Sequence, residues 1–506
     1  MNFVIREGPP LGMLRRVQRR MGLALALGAL AARAAGRVLN IATDCGAAGD
    51  NATVNTRALN ACVARAAVGD TLLVPRGVFL TGTVALRAGQ TLRFADGGWL
   101  QGSANVSDYG DDWDYWHVVN AISAADVTIV ADSRGGGGIA GPMWQMIDRF
   151  DPAQQMWRPA EWTGAHGCAD ECRPKNLALV DAPRARLLNF ALRDSADWTL
   201  LLRRTSDALV DGLVIRGSQQ WPNGDGIDIE SGENITLQNL DIATGDDAIA
   251  MRSGNCNAMR TPWARPLPPL RGVRVRNCTL SSSSAAIKVE NLFQRDHGDV
   301  SDIDVDGVTI VNSNRGVGVW QRVAGPSGGR ISNLIFRNLA IETRFMFGTA
   351  WWGSGEALVV TTVPEDAVQA ATGLPGVHGV LFENVVARAE GGCLFSSRGQ
   401  AATSPRALDG LVLRNVSLTI VGAGGNVTHA QLDFRPVDAG GGAPNTVPAP
   451  VTALTFESAV GATVEGGSRV TFEGPAQPYW AGAGGRGACV AGAAEVDASF
   501  ACALAA

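Results

Sequence analysis

Three aspartates fall in two short stretches whose residue types can do acid–base chemistry. PNGDGIDIE covers residues 222–230 and TGDDAIAMRSG covers residues 244–254. They set Asp225 and the pair Asp246–Asp247 21 residues apart. One carboxylic acid can protonate a leaving oxygen while a second carboxylate activates water. Crowding raises the pKa of such groups, so one stays protonated near neutral pH. Calcium ligation is a competing use of clustered acids. A bare Asp-Asp pair in a turn is commonly structural. Asp228 reads as a structural or supporting group. No metal and no cofactor is expected.

Residues this far apart need a scaffold that brings them together. One pattern recurs down the chain: two alternating apolar positions, an Asn or Gly, then two more. It appears as LVDGLVI (209–215), ITLQNLDI (235–242), VRVRNCTL (273–280), IDVDGVTI (303–310), LIFRNLAI (334–341), VLFENVVA (380–387) and LVLRNVSL (411–418). Alternation with period two means strands. The central Asn or Gly, at 212, 239, 277, 307, 338, 384 and 415, marks a tight bend, because these residues tolerate left-handed backbone. A second short strand follows each bend, for example GIDIE (226–230), AIAMR (248–252), AIKVE (286–290) and GVGVW (316–320). Short strands repeated every few tens of residues describe a parallel β-solenoid. Rungs then lie about 4.8 Å apart, and the three aspartates, each just before a strand, meet on one face. A β-propeller would need a steadier and longer repeat. Residues 56–67 suit a helix covering the open end, which an exposed sheet requires.

The 506 residues are 46% hydrophobic and 18% charged, with 62 glycines. A large core is therefore affordable and disorder is not expected. The formal net charge of −5 argues against a nucleic-acid binder. Residues 1–36 read as a targeting segment. Arg15, Arg16, Arg19 and Arg20 precede the apolar run Met21–Ala32, and Ala32-Arg33-Ala34 resembles a cleavage site. Secretion follows, with no membrane span after its removal. Nine cysteines and six N-x-S/T triplets (Asn51, Asn105, Asn234, Asn277, Asn415, Asn426) fit that compartment. Cys168–Cys172 and Cys489–Cys502 are expected as local bridges, with Cys393 left over.

The opening stretch DCGAAGDNATVNTRALNACVARAAVGDTLLVPRGVFLTGTVALRAGQTLRFADGGWLQGS (44–103) resembles the start of pectin-lyase-like right-handed β-helices. Asn223-Gly224-Asp225 and Asp246-Asp247 resemble the N-x-D and D-D motifs of glycoside hydrolase family 28, the polygalacturonases. FGTAWWGSGEAL (347–358) is similar to a stretch in a bacterial-type branch. The likeness spans roughly residues 38–430. It implies an all-β, single-stranded right-handed parallel β-helix with an N-terminal capping helix. It also implies Asp246 as general acid, Asp225 and Asp247 as the pair holding water, and inversion at the anomeric carbon.

Two motifs of that family are replaced. Ala285, in SSSSAAIKVE (281–290), stands where the family has the histidine of G-H-G. Gly318 and Trp320, in NRGVGVWQR (314–322), stand where it has the arginine and lysine of R-x-K. His297 reads as a solvated loop residue. Substitute contacts to substrate are expected from Asn223, Asp228, Glu290 and the outward-facing cations Arg252, Lys288 and Arg315. Trp320, Trp351, Trp352 and Glu356 would form a sugar platform, indole faces stacking on pyranose rings. Residues 145–176, with Trp144 just before, and residues 253–270 are long loops that would wall one end of the cleft and favour exo action.

The expected organisation is a targeting segment (1–36), a catalytic β-helix (37–455) and a Gly/Ala-rich cap or tail (456–506). The expected activity is inverting hydrolysis of α-glycosidic bonds in a pectin-type acidic polysaccharide, by a secreted monomer. Two alternatives keep the fold: an exo-glycosidase for another sugar such as rhamnose, and a carbohydrate-binding β-helix without activity. A β-eliminating lyase would want a basic residue and calcium, and has no use for the acid trio.

Overall fold

The computed structural model describes residues 36–496 except 111–115, 153–154, 161–172, 255–267, 292–297, 322–328, 345, 347–352, 354, 363–375, 392, 397–407, 422–453, 458–461, 466–468, 474–487 and 491–493. The targeting segment, Trp351, Trp352, His297 and the Cys168–Cys172 pair lie outside the described residues, as does Cys502.

The chain winds as a right-handed parallel β-helix. Each strand pairs in parallel with the equivalent strand one turn later. The strands Leu200–Ser206, Ile227–Gln238, Ile249–Arg252, Ala285–Asn291, Arg315–Gln321 and Glu356–Thr362 stack in that order. Their inward column is Leu200, Ile227, Ile249, Ile287, Val317 and Leu358, all essentially without solvent contact. Such columns along every sheet form one continuous apolar core. Ten-residue helix Thr56–Arg65 covers the N-terminal end with Leu59, Cys62 and Val63.

The bends fall where the Asn/Gly pattern put them. Gly212, Asn239, Asn277, Gly307, Asn338, Asn384 and Asn415 all have φ between 51° and 72°. An L-residue other than Asn or Asp would be strained there. The Asn side chains also hydrogen-bond one another between rungs, as from Asn277 to Asn239 and from Asn415 to Asn384.

Parallel pairing continues past residue 455. Ala462–Glu465 and Arg469–Glu473 stack on Leu408–Val421, and the antiparallel strands Ala494–Val496 and Ala488–Val490 follow. The described disulfide is Cys45–Cys62, which ties the capping helix to the first rung. Cys278 and Cys393 are buried free thiols; Cys393 was expected to be left over and Cys278 was not. Sequence reasoning missed the bridge because its partners sit 17 residues apart, and only the folded-back helix brings them together.

Candidate active site

The two acidic stretches lie at one corner of the helix. Asp225 ends the turn after Val214–Arg216, and Asp246–Asp247 end the equivalent turn after Asp241–Thr244. Gly226 N–H donates to the Asp247 carbonyl at 2.8 Å, which registers the two turns directly. The flanking glycines are there because the rungs crowd. A Cβ on Gly226 would lie 2.4 Å from the Ala248 carbonyl oxygen, and one on Gly245 would lie 2.1 Å from that of Trp221.

One carboxylate oxygen from each of Asp225, Asp246 and Asp247 lies within 4.8 Å of the others. Asp246 is 9% exposed, against 4% for Asp225 and 1% for Asp247, so Asp246 is the one that best meets solvent. Burial, then the Asp247 charge, pushes the Asp246 carboxyl up to about 7. Burial and the neighbouring aspartates hold Asp225 well above the ordinary range. Asp247 goes the other way. Burial alone would raise it, but Lys288 outweighs that and holds it below the usual carboxylate value. Asp247 Oδ1 also accepts from Ala285 N–H at 3.0 Å. The trio therefore divides into one group kept ionised and two kept protonated, and it titrates as a unit.

The serine run supplies the turn's support. Ser282 Oγ and Thr244 Oγ1 both donate to the Asp246 carbonyl oxygen, at 2.8 and 2.9 Å. Ser284 hydrogen-bonds the carboxyls of Asp246 and Asp247. None of this was foreseen, and the SSSS run beside a missing histidine was the available signal.

The expected substrate cations have a different environment. Arg252 and Lys288 do leave the core, as the alternation requires, but Arg252 is covered and the Lys288 side chain is only 19% exposed. Arg252 Nη2 donates to Asp228 Oδ1 at 2.8 Å and its Nε to Glu290 Oε1 at 2.9 Å. Arg252, Asp228 and Glu290 are 3%, 0% and 0% exposed. They offer no surface to a sugar, which corrects their reading as substrate contacts. Lys288 Nζ bridges Asp247 Oδ2 at 2.8 Å and Glu290 Oε2 at 3.1 Å. Burial disfavours its charge, but those two carboxylates outweigh it and raise its pKa well above the ordinary value. Arg203 continues the line by pairing with Glu230 at 2.7 Å. Lys175 and Asp197 form another buried pair at 2.6 Å beside Trp198, also unforeseen.

The platform reading changes too. Trp320 is 5% exposed and packs with Ala285 and Val359 on the outer face. Its ring lies over Gly318 and 5.0 Å from the Arg315 guanidinium. Glu356 is buried and pairs with Arg315 at 3.4 Å. Trp320, Arg315 and Glu356 thus fill the space left by the small Ala285 and Gly318 and present little to solvent. Asn223 is half-buried, and its side-chain oxygen accepts from Arg173 Nη2 at 2.8 Å.

Three oxygens this close could also ligate a cation. The ammonium of Lys288 already sits on Asp247, and two raised carboxyls are poor ligands when protonated, so the donor set fits proton chemistry better.

The sequence model of glycosyl hydrolases family 28 matches residues 64–344. The chain belongs to that family. It is 24% identical over 336 residues to a probable polygalacturonase of Vitis vinifera, covering 62% of each chain. It is 25% identical over 352 residues to an exo-poly-alpha-D-galacturonosidase of Dickeya chrysanthemi, covering 60% of this chain and 55% of that one. The match thus spans about three-fifths of these relatives' length. Among solved structures, the family 28 exopolygalacturonase of Yersinia enterocolitica aligns with a TM-score of 0.57 at 17% identity, over 76% of this chain and 72% of that one. An exopolygalacturonase of Thermotoga maritima aligns with a TM-score of 0.57 at 16% identity, over 86% and 90%. These two likenesses establish the fold.

Proposed function

We propose that this family 28 member hydrolyses O-glycosidic bonds of a pectin-type polysaccharide outside the cell, as a monomer. The observation that carries this is the division of the trio: Asp246, the most exposed of three largely buried groups, protonated to about pH 7, and Asp247 held ionised by Lys288. Asp246 gives its proton to the leaving oxygen. Asp247 takes a proton from the attacking water, and Asp225 orients that water. Attack from the face opposite the leaving group inverts the anomeric carbon. Inverting pairs are usually about 6.5–9.5 Å apart, and the oxygens here are closer. The anomeric form of the first product, measured below, therefore decides between inversion and retention. The names of the relatives, polygalacturonase and exo-poly-alpha-D-galacturonosidase, support the choice of a galacturonate polymer as first substrate.

A second reading keeps the chemistry and changes the sugar at the cleaved bond. Gly318 and Trp320 favour it, since they stand where the family resemblance puts an arginine and a lysine. One experiment addresses both readings. Reducing-end release is measured from polygalacturonate, rhamnogalacturonan and neutral arabinan, with the wild type and Asp246→Asn in parallel. Proton NMR of the first product gives its anomeric form. Release from an acidic polymer, lost in the variant and inverted in configuration, is the expected result. Release from arabinan alone, or undiminished release by Asp246→Asn, overturns the reading.

A further inference from the structure

Among the described residues, the exposed large apolar side chains include one aromatic, Trp144, at 51%. It sits on the short turn Met143–Gln145. Its indole Nε1 donates to Asp194 Oδ1 at 2.9 Å, which fixes the ring's position. Trp157 meets it edge-on, with centroids 6.5 Å apart and planes at 78°. Phe150 backs Trp157 at 4.8 Å and 62°. Both belong to the antiparallel hairpin Ile147–Asp151/Met156–Pro159, the two-stranded sheet outside the helix.

This aromatic group belongs to the acid corner. Gly141 N–H donates to the Arg193 carbonyl, Asp194 N–H to that of Arg216, and Gly217 N–H to that of Ala243. The turn bearing Trp144 thus stacks, through those following Arg193 and Arg216, on the turn bearing Asp246. Three rung steps separate them, roughly 14 Å along the axis. The hairpin is also fastened to the intervening turn: Trp157 N–H donates to the Gln220 carbonyl at 2.9 Å, five positions before Asp225.

An exposed indole held in place by a hydrogen bond and an aromatic backing is a costly arrangement for a solvated surface, since apolar area there gains nothing from burial. It matches what a pyranose ring requires: a flat apolar face for its axial C–H groups and polar atoms at the edge for its hydroxyls. Asp194 supplies such an atom beside Trp144. A polysaccharide laid along the corner, with its cleaved bond at Asp246, carries further sugar units over Trp144. We infer that Trp144, braced by Trp157, forms an outlying subsite that stacks on a pyranose unit of the same chain, several units from the cleaved bond on the N-terminal side. This rests on the hydrolase reading for its substrate. A protein partner seated on the hairpin is the competing occupant.

The test uses a ladder of oligogalacturonides from short to long. Hydrolysis is followed with the wild type and Trp144→Ala. Binding is followed calorimetrically with Asp246→Asn and with the Asp246→Asn/Trp144→Ala double variant. The expected loss in Trp144→Ala grows with length, reaching about tenfold in kcat/KM on the longest oligomers, the scale of one aromatic stack. Trp144→Phe should recover part of it. A loss equal at all lengths, or none at any, overturns the subsite while leaving hydrolysis standing. If the wild type cuts nothing, binding decides. Tighter binding of long oligomers that vanishes with Trp144 keeps the subsite and removes the hydrolase reading. Binding of the longest oligomer that is the same with and without Trp144, or absent with both, overturns the subsite and leaves the hairpin to a protein partner.

Discussion

The Lys288 ammonium lies 2.8 Å from Asp247 Oδ2, reaching back from the next rung, where Lys288 is in register with Ala250, three positions past the aspartate. That contact keeps one member of a crowded acid trio ionised. Removing it with Lys288→Met leaves Asp247 buried beside two carboxyls with no cation. Its pKa then rises. The acid limb of kcat/KM should move to higher pH, and each unit of that move costs about tenfold in activity at pH values below both positions of the limb. A pH–rate profile checks this. An unmoved acid limb would mean that Lys288 does not set the charge on Asp247.

Asp246 gives a prediction with two signs. Its folded pKa of about 7 lies above the ordinary carboxylate value of 3.8. Activity should therefore fall as pH rises through about 7, and Asp246→Asn should remove turnover. Stability follows the same linkage. Between pH 4 and 7 the folded state binds more protons than the unfolded chain, so stability falls as pH rises across that window. An asparagine carries no such cost. Asp246→Asn should melt a few degrees above the wild type at pH 8, with the gap closing near pH 4. Thermal melts at the two pH values decide it, and a variant less stable at pH 8 would contradict the raised pKa.

Sequence alone reached the fold and the acid trio, and the reason is local. A bend needing positive φ restricts its own residue, so Asn277 or Asn415 can be read one position at a time. The aspartates likewise stand in short motifs. What escaped was set by stacking. Arg252 meets Asp228 across 24 residues and Glu290 across 38. Alternation told that these side chains leave the core. It could not tell that neighbouring rungs bring opposite charges beside them and cover them. Trp320 was misread for the same reason: its exposure depends on Ala285 and Val359 from the rungs before and after, as well as on Gly318 and Arg315 of its own strand.

That buried line of charges makes a stability prediction. Arg252→Met removes the counter-charge of Asp228 and Glu290, both fully buried. Breaking a buried pair from one side costs about 3–5 kcal/mol. Arg184 pairs with Asp126 at a similar 2.8 Å, but the two are 54% and 58% exposed. Arg184→Met should therefore cost far less, because solvent screens the exposed pair. Denaturant titration of the two variants compares them directly. Equal losses would mean that the Arg252 network is solvated in solution.

Gly318 and Trp320 offer the last test, because the glycine makes room for the indole. A Cβ on Gly318 would lie 1.6 Å from Cη2 of Trp320. Gly318→Ala must therefore displace the ring from its place against Ala285, Val359 and Arg315. Overpacking of this kind costs about 1–3 kcal/mol. The displaced indole should also change the near-ultraviolet circular dichroism and raise the accessibility of one tryptophan to iodide quenching. Ala285→Gly removes a methyl packed with the ring, and in the double variant it should recover part of the loss. A Gly318→Ala protein with unchanged stability and unchanged tryptophan signals would place Trp320 elsewhere in solution, and would return it to the sugar platform that its sequence suggested.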